Sequence, residues 1–330
     1  MKETIKWGIL GTGTIAKKFC TGLTSIADAE IYAVGSRSQE SADRFAQQFS
    51  IPKAYASYEA LANDPDVDVI YIATPHTLHM ENALLCLSHN KPVLCEKPFA
   101  VNASQAGKVF VLARQKNLFV MEAFWTRFQP LASEIIRRIN QGEFGEIRTA
   151  RIAFGFQEEL GPEGRLLNPK LAGGALLDVG IYTLSYADMI FGTVPSSLHS
   201  CAQIGPTGVD EQNAILAHYP SGGIASLQSA VTVEIPNDAQ MIGTKAQIDI
   251  PEFWHAETAY ITPHEGEPYE IHLPFMKNGY EYEAMEVMQC LREGKIQSDI
   301  LPWSHTLQMM ELLDTCRKEW GLRYPMEDKD

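Results

Sequence analysis

Residues 4–16 read Thr-Ile-Lys-Trp-Gly-Ile-Leu-Gly-Thr-Gly-Thr-Ile-Ala and predict a short apolar strand that turns directly into a helix. In such a turn Gly11 allows the tight bend, Gly13 lets the backbone approach a pyrophosphate, and the small Ala16 lets the helix pack on the strand. The N-terminus of the helix also favours an anion. A tight turn without a ligand is the alternative, because this spacing also occurs in ordinary loops. The residues that we expect to hold a dinucleotide here are Gly11, Thr12, Gly13, Thr14, Ile15 and Ala16.

The rest of the chain divides into two patterns. Strand and helix patterns alternate through the first 120 residues, which predicts a parallel sheet with helices on both faces. Long alternating runs follow, for example residues 147–156 and 224–233, and these are typical of an antiparallel sheet. With 330 residues the chain also exceeds the usual size of a single core. We therefore predict an α/β protein with a Rossmann dinucleotide-binding domain at residues 1–122 and an α+β domain with an open, mostly antiparallel sheet at residues 123–330.

The charge balance excludes some classes of partner. The chain carries 27 Lys and Arg against 41 Asp and Glu, a net charge of −14, which repels nucleic acids and anionic membrane surfaces. No apolar run reaches the ~18 residues of a membrane span, and the first residues have no signal-peptide pattern. The six cysteines are scattered and predict neither disulfides nor a zinc site. We expect a cytoplasmic protein without nucleic-acid or membrane partners.

The end of the second predicted strand bears on the type of dinucleotide. An acidic residue at this position binds the ribose hydroxyls of NAD, whereas an arginine accommodates the 2′-phosphate of NADP. Here the strand ends in Ser36 and Arg37, and Glu30 lies at the beginning of the strand, too early to serve. A solvated surface arginine is the alternative. We expect NADP rather than NAD, bound in part by Ser36 and Arg37.

Two further strand ends carry polar residues, at 74–76 and 96–98. Ligands of open parallel sheets bind where the strands end, so we expect these residues to line the nicotinamide site, although a surface turn is the alternative at 96–98. Lys97 can bond a substrate hydroxyl, or take its proton where burial favours the neutral amine. His76 and His79 lack an obvious third ligand, so we expect no metal. The further residues that we expect to bind the cofactor are Thr74, Pro75, His76, His79, Glu96, Lys97 and Arg127.

A second group of candidates lies in the C-terminal half. Asp178 and Tyr182 are four residues apart in a segment that should be helical from about Ala175, so they share one helix face. A carboxylate one turn from a phenol can orient a hydroxyl and pass a proton, although a local helix partner and a core aromatic are the alternative. Large aromatic side chains can stack on a ring-shaped substrate, with core packing as the alternative. Those expected to do so are Trp125, Phe154 and Trp254.

Taken together, the ordered motifs resemble the glucose-fructose oxidoreductase, inositol dehydrogenase and rhizopine-catabolism family of NAD(P)-dependent oxidoreductases. The resemblance runs from residue 6 to residue 325. Residues 121–128, Tyr182 and residues 250–254 are similar to the branch of dimeric dihydrodiol dehydrogenases, also described as NADP-dependent D-xylose dehydrogenases. The motifs are Gly11-x-Gly13-x-x-Ala16, Ala73-Thr74-Pro75-His76-x-x-His79, Glu96-Lys97-Pro98 and Gly173-Gly174-Ala175-Leu176-Leu177-Asp178-x-Gly180.

The resemblance implies an enzyme that moves a hydride between NADP and a secondary carbinol or carbonyl of a cyclic sugar, polyol or trans-dihydrodiol. It implies catalytic Lys97 with Asp178 and Tyr182, and it agrees with a homodimer formed through the open face of the C-terminal sheet. Whether Lys97 or Tyr182 takes the proton stays open, because inositol dehydrogenases have histidine where this chain has Tyr182, and asparagine is commoner than His76. A non-catalytic NAD(P)-binding regulator of a sugar pathway is the alternative, but such a protein would be expected to lose these residues. The substrate and the direction of the reaction also stay open.

Overall fold

The computed structural model describes residues 3–157 and 161–329. The strands in this part of the chain are β1 Ile5–Leu10, β2 Ala29–Gly35, β3 Lys53–Tyr55, β4 Val69–Ile72, β5 Val93–Glu96, β6 Val120–Ala123, β7 Ile147–Gly155, β8 Ser197–Ile204, β9 Asp210–His218, β10 Ile224–Ala230, β11 Asp238–Gly243, β12 Ala246–Pro251, β13 Thr258–Pro263 and β14 Tyr269–His272. The α-helices are α1 Thr14–Leu23, α2 Gln39–Phe49, α3 Tyr58–Ala62, α4 His79–Ser88, α5 Ala103–Lys116, α6 Pro130–Asn140, α7 Ile181–Phe191, α8 Glu281–Arg292 and α9 Trp303–Glu319. None of the helices in these residues is long and apolar enough to cross a membrane.

Backbone contacts divide the chain into two units. The first consists of Met1–Phe128 and Met276–Leu307, and the second of Gln129–Phe275 and Gln308–Asp330. This division differs from the single boundary that the sequence predicts after residue 122. Within the first unit the later segment pairs with the last strand of the sheet, because the backbone N–H of Val120 donates to the carbonyl of Ile296 and the Trp303 indole donates to the carbonyl of Val120.

The first unit contains the predicted parallel sheet. Its six strands have the order β3-β2-β1-β4-β5-β6, and every neighbouring pair is parallel. The strand order reverses between β1 and β4, and in open α/β sheets ligands bind outside the carboxyl ends of the strands at such a point. Side chains of β1 are buried from Trp7 onward, as expected for the centre of a sheet covered on both faces. The Rossmann prediction is confirmed.

The second unit contains an eight-stranded sheet with the order β14-β13-β12-β11-β7-β10-β9-β8. Only β7 and β10 are parallel neighbours, so the prediction of an open, mostly antiparallel sheet is confirmed. Residues 220–223 form the expected hairpin between β9 and β10. The predicted run 239–250 is two strands, β11 and β12, which turn at Thr244 and Lys245.

One face of this second sheet is buried and the other is exposed. Cross-strand neighbours such as Ala217, Ala225 and Met241 are fully buried, and α7 packs against β7 and β10. Residues on the opposite face, including Arg151 and Ser226, are exposed. Large exposed apolar side chains on that face include Leu216, Ile224, Ile242 and Tyr260.

Candidate active site

The glycine turn after β1 has the backbone and the open space that a pyrophosphate needs. Gly11 has φ of 110°, and a Cβ there would lie 2.7 Å from the carbonyl oxygen of Ala73. Gly13 is the N-cap of α1, which has no side-chain cap, and no described atom lies within 4 Å of the position of an added Cβ. The N-terminus of α1 therefore has no side-chain cap and begins beside an open space at Gly13, which suits a bound anion.

Hydroxyl and basic groups surround the neighbouring strand end. The Ser36 and Thr12 hydroxyl oxygens are 3.5 Å apart, and Arg37 is exposed. Between residues 3 and 157 and from 161 to 329, no hydrogen bond or ion pair engages the Arg37 guanidinium. A cavity of about 350 Å³ lies next to this turn. It is lined by Thr12, Lys17, Ser41, Arg44, Phe45 and Gln48.

Sequence reasoning missed Lys17 and Arg44, the two basic residues of this cavity. Lys17 is the fourth residue of α1, and Arg44 lies on α2, which follows Arg37. Arg44 is also 3.9 Å from Glu40, in an exposed pair that contributes little stability. Basic residues in the two helices after β1 and β2 are the signal that could have identified them.

The Glu96 carboxylate fixes the backbone at the end of β5. Its Oε1 accepts a hydrogen bond of 2.5 Å from the Tyr71 hydroxyl, and its Oε2 accepts one of 3.2 Å from the backbone N–H of Lys97. The Tyr71 ring is fully buried and stacks on Phe19, with 3.7 Å between ring centroids. The Glu96 carboxylate is therefore buried and accepts two hydrogen bonds, whereas Lys97 is partly exposed.

His79 differs from the expectation that it contacts the cofactor. Its ring is fully buried, with Nδ1 2.7 Å from the Pro98 carbonyl and Nε2 2.8 Å from the Thr74 carbonyl. Burial, and secondarily the charge of Lys97, lowers its pKa, so a neutral ring donates to one of the two carbonyls. His79 therefore ties together the segments that follow β4 and β5. His76 is buried in the 3₁₀ turn before α4, and its ring centroid lies 5.8 Å from that of His79.

Arg127 and Trp125, both in the 3₁₀ turn Trp125–Phe128, contact the later segment of their own unit. The Arg127 guanidinium donates to the Ile300 carbonyl at 3.3 Å and lies 2.8 Å from Nε2 of His305. Burial, and then the charge of Arg127, lowers the pKa of His305 to about 3, so this ring is a neutral acceptor. The Trp125 ring is buried and stacks on Tyr280 at 4.2 Å, so core packing describes Trp125 better than the expected stacking surface for substrate.

Asp178 and Tyr182 lie where a π-helical turn, Leu176–Gly180, passes into α7. The sequence predicts an ordinary α-helix here, but the turn is wider because its hydrogen bonds run from residue i to i+5. Asp178 is buried and its Oδ1 accepts a hydrogen bond of 2.8 Å from Arg165. Arg165 was missed because it precedes Asp178 by 13 residues, in a different segment.

Two of the three predicted stacking residues lie beside Tyr182. Phe154 stacks on Trp254 with 4.1 Å between centroids and 15° between ring planes. The Tyr182 ring meets Phe154 edge to face at 5.5 Å and 64°. Phe154 and Tyr182 are mostly buried, while Trp254 is partly exposed. The second unit thus combines an aromatic stack, a phenol and a carboxylate.

Family models match both units. A model described as an oxidoreductase family with an NAD-binding Rossmann fold matches residues 5–124, and the GFO/IDH/MocA C-terminal domain matches residues 133–249. The trans-1,2-dihydrobenzene-1,2-diol dehydrogenase of Mus musculus is 38% identical over 98% of this chain and 99% of the relative. The chain belongs to the GFO/IDH/MocA oxidoreductase family. It is therefore a dehydrogenase or reductase that acts on CH–OH groups with a nicotinamide cofactor.

Solved structures support the same GFO/IDH/MocA fold. An aldose-aldose oxidoreductase from Caulobacter crescentus superposes with a TM-score of 0.88 at 23% identity, covering 96% of this chain and 97% of that chain. A 3-ketoreductase from Actinomadura kijaniata, in complex with NADP and TDP-benzene, superposes with a TM-score of 0.85 at 23% identity and the same coverage. Within the described residues of this family member, no group of three His, Cys, Asp or Glu side chains could hold a metal ion.

Proposed function

We propose that this oxidoreductase uses NADP to oxidise secondary alcohols of cyclic sugars, polyols or trans-dihydrodiols, or to reduce the corresponding carbonyls. The observation that carries the proposal is the group of Phe154, Trp254 and Tyr182 next to Asp178. Aromatic faces bind the apolar face of a ring, while a phenol and a carboxylate bond its hydroxyls. The Mus musculus relative, named for a trans-dihydrodiol, supports the same class of substrate.

NADP is proposed from the charges at the glycine turn. Residues 11–16 would hold the pyrophosphate, and Ser36 and Arg37 would hold the 2′-phosphate, with Lys17 and Arg44 adding positive charge nearby. When bound, NADP supplies the nicotinamide that accepts or donates the hydride. We also propose contacts to the cofactor from Thr74, Pro75, His76, Glu96 and Lys97.

The proton that accompanies the hydride is assigned to Tyr182, with Lys97 as its electrostatic partner. Lys97 follows the buried Glu96, whose carboxylate accepts the backbone N–H of Lys97, and we assign its side chain the role of a charged partner rather than that of the proton acceptor. Asp178, bound to Arg165, would orient the substrate hydroxyl. The competing assignment gives the proton to neutral Lys97 and leaves Tyr182 and Asp178 to orient the substrate.

Tyr182→Phe tests the assignment. The variant should lose about 10²- to 10⁴-fold in kcat, the usual contribution of general acid–base catalysis, and should lose the alkaline limb of the pH profile. Tyr186→Phe is the matched control, because this second tyrosine of α7 is also buried. Lys97→Met should also lower kcat by orders of magnitude while NADPH still binds.

Three outcomes discriminate between the alternatives. If Tyr182→Phe keeps most of its activity with an unshifted pH profile, the base is Lys97. If both Tyr182→Phe and Lys97→Met keep full activity, neither residue is catalytic. If the native protein binds NADPH but turns over no member of a panel of sugars, polyols and cyclic diols, the substrate proposal fails and the non-catalytic regulator becomes the better description.

We further propose a homodimer formed through the exposed face of the second sheet. Leu216, Ile224, Ile242 and Tyr260 on that face are each 38% to 48% exposed, and they alternate with polar neighbours. Within β10 only Ile224 is apolar on that face, because Ser226 and Gln228 are the next residues on it. A second copy of the chain would cover all four apolar side chains at once.

A further inference from the structure

Asp210 is a buried carboxylate that contacts the start of the π-helical turn. It is the first residue of β9 and has no exposed surface. Its Oδ2 accepts two hydrogen bonds of 2.8 Å, one from the backbone N–H of Leu176 and one from the side-chain amide of Asn213. Leu176 is the first residue of the turn that carries Asp178. A carboxylate at this position binds a free N–H and complements the positive end of the helix.

The hydrogen bonds that begin at Asp210 continue through Asn213 to the other end of the turn. Asn213 accepts a hydrogen bond of 2.9 Å from the Ser229 hydroxyl. That hydroxyl oxygen lies 2.9 Å from the position of a Cβ added to Gly180, the last residue of the turn. Asp210, Asn213 and Ser229, which we call the buried triad, therefore touch both the beginning and the end of Leu176–Gly180.

Gly174 leaves the space that Asp210 occupies. Its φ is 120°, and a Cβ on it would lie 2.2 Å from Oδ1 of Asp210. A side chain at residue 174 would therefore displace the carboxylate from the N–H of Leu176. Residue 174 is therefore a glycine because Asp210 of β9 packs closely against it, and no ligand is needed to explain this glycine.

We propose that Asp210 is a positioning residue for the oxidoreductase reaction, and that the buried triad holds the π-helical turn in the one conformation that orients Asp178 and Tyr182. The inference rests on the proposed function, because the roles of Asp178 and Tyr182 are proposed there. Asp210 acts through these two residues and does not itself contact the reacting groups. Misplacement of a catalytic group by about 1 Å can cost about 10²-fold in rate, so an anchor at the base of the turn is expected to affect kcat.

The charge of Asp210 gives the proposal a second readout. Burial raises its pKa to about 7, although its hydrogen bonds and Arg317 act in the opposite direction. The charge of Asp210 in turn adds to the effect of burial in raising the pKa of the Tyr324 hydroxyl and of the Cys316 thiol. Ionised Asp210 accepts the Leu176 N–H more strongly than the protonated acid does, so kcat should fall on the acid side of pH 7.

The test compares Asp210→Ala with Asp210→Asn. The alanine variant should lower kcat at least about tenfold while the KM and the Kd for NADPH change less than about threefold. The asparagine oxygen can accept both hydrogen bonds, so Asp210→Asn should recover most of the lost kcat but not the limb near pH 7. Asp238→Ala is the control, since Asp238 is also the first residue of a strand in this sheet but pairs with Arg151.

Ser229→Ala covers the case in which Asp210→Ala does not fold, because it removes one donor of the buried triad and leaves both hydrogen bonds to Asp210 intact. It should lower kcat about threefold without raising KM. A kcat equal to that of the Asp238→Ala control in both Asp210→Ala and Ser229→Ala would overturn the proposal. Where Asp210→Ala does not fold, a kcat of Ser229→Ala equal to that control overturns it alone.

A double-mutant cycle separates this proposal from the proposed function. If Asp210 acts through Asp178 and Tyr182, the loss in Asp210→Ala/Tyr182→Phe should be smaller than the sum of the two single losses. Fully additive losses would overturn the positioning role and leave the catalytic assignment intact. Full activity of Tyr182→Phe would instead show that the catalytic assignment had failed, whatever Asp210→Ala does.

Discussion

Glu122, at the end of β6, should make the protein less stable as the pH rises from about 5 to 7. Its carboxylate is buried, with Oε1 accepting the backbone N–H of Phe99 at 3.1 Å and Oε2 accepting the Thr306 hydroxyl at 2.9 Å. Burial raises its pKa from the ordinary 4.5 to about 7, although both hydrogen bonds and the charge of Arg127 oppose the rise. The folded protein therefore keeps a proton on Glu122 that the unfolded chain has already lost.

The sign and the size follow from that difference. Where the folded state binds more protons, the free energy of unfolding falls with pH, so the contribution of Glu122 is fully present below pH 4.5 and is lost as the pH passes 7. At about 1.36 kcal/mol per pH unit the loss is about 3 kcal/mol. In Glu122→Gln the amide oxygen can accept the Phe99 N–H and the amide nitrogen can donate to the Thr306 hydroxyl. The variant therefore keeps both contacts without a group that titrates.

Urea unfolding of the native protein and Glu122→Gln at pH 5, 6, 7 and 8 measures the effect. The free energy of unfolding of the variant, relative to that of the native protein, should rise by about 3 kcal/mol between pH 5 and pH 8. The exposed Glu311 on α9 provides the control, and Glu311→Gln should show no such rise. A difference between Glu122→Gln and the native protein that stays constant over this pH range would refute the reasoning.

Three further predictions concern the cofactor, the assembly and the substrate. Arg37→Ala should weaken NADPH binding about 10- to 100-fold with little effect on NADH, since each charge-assisted hydrogen bond contributes about 1.5–3 kcal/mol; equal losses in binding titrations would contradict the NADP assignment. Light scattering at micromolar concentration should give the mass of a dimer, and Leu216→Glu should shift it to the monomer, whereas a monomeric native protein would exclude the proposed interface. Steady-state kinetics of Trp254→Ala should show a larger rise in KM than fall in kcat, and unchanged kinetics would argue against stacking of the substrate on this ring.

Several features of the fold could be predicted because their signals are local. The strand before Gly11, the glycine spacing and the helix that begins at Thr14 lie within 20 residues, so periodicity and turn chemistry suffice to recognise them. The end of β5 at Glu96 follows from the same reasoning, because parallel strands all end at one edge of the sheet. The strand that contains Phe154 and the helical segment that carries Tyr182 were also recognised from their patterns.

The tertiary structure decided which packing contacts and hydrogen bonds each predicted site residue makes. His79 has the same residue type and neighbourhood as His76, yet its ring is used to tie two strand ends together. Trp125 and Trp254 look equivalent in sequence, but one stacks on Tyr280 and the other on Phe154 in the region of Tyr182. A side chain's exposure depends on what covers it, and the covering residues can come from any part of the chain.

The sequence by itself therefore determined the sheet of the first unit, the glycine turn, the antiparallel character of the second sheet, the strand that ends before Lys97 and the helical segment that carries Asp178 and Tyr182. Only the tertiary structure assigned residues 276–307 to the first unit and brought Asp210 to the N–H of Leu176, 34 residues away. The physical reason is the range of the interactions. Periodicity, turns and caps act over a few residues and leave a pattern in the sequence. The donor that a buried carboxylate binds is set by the packing of the completed fold, and no local sequence pattern indicates it.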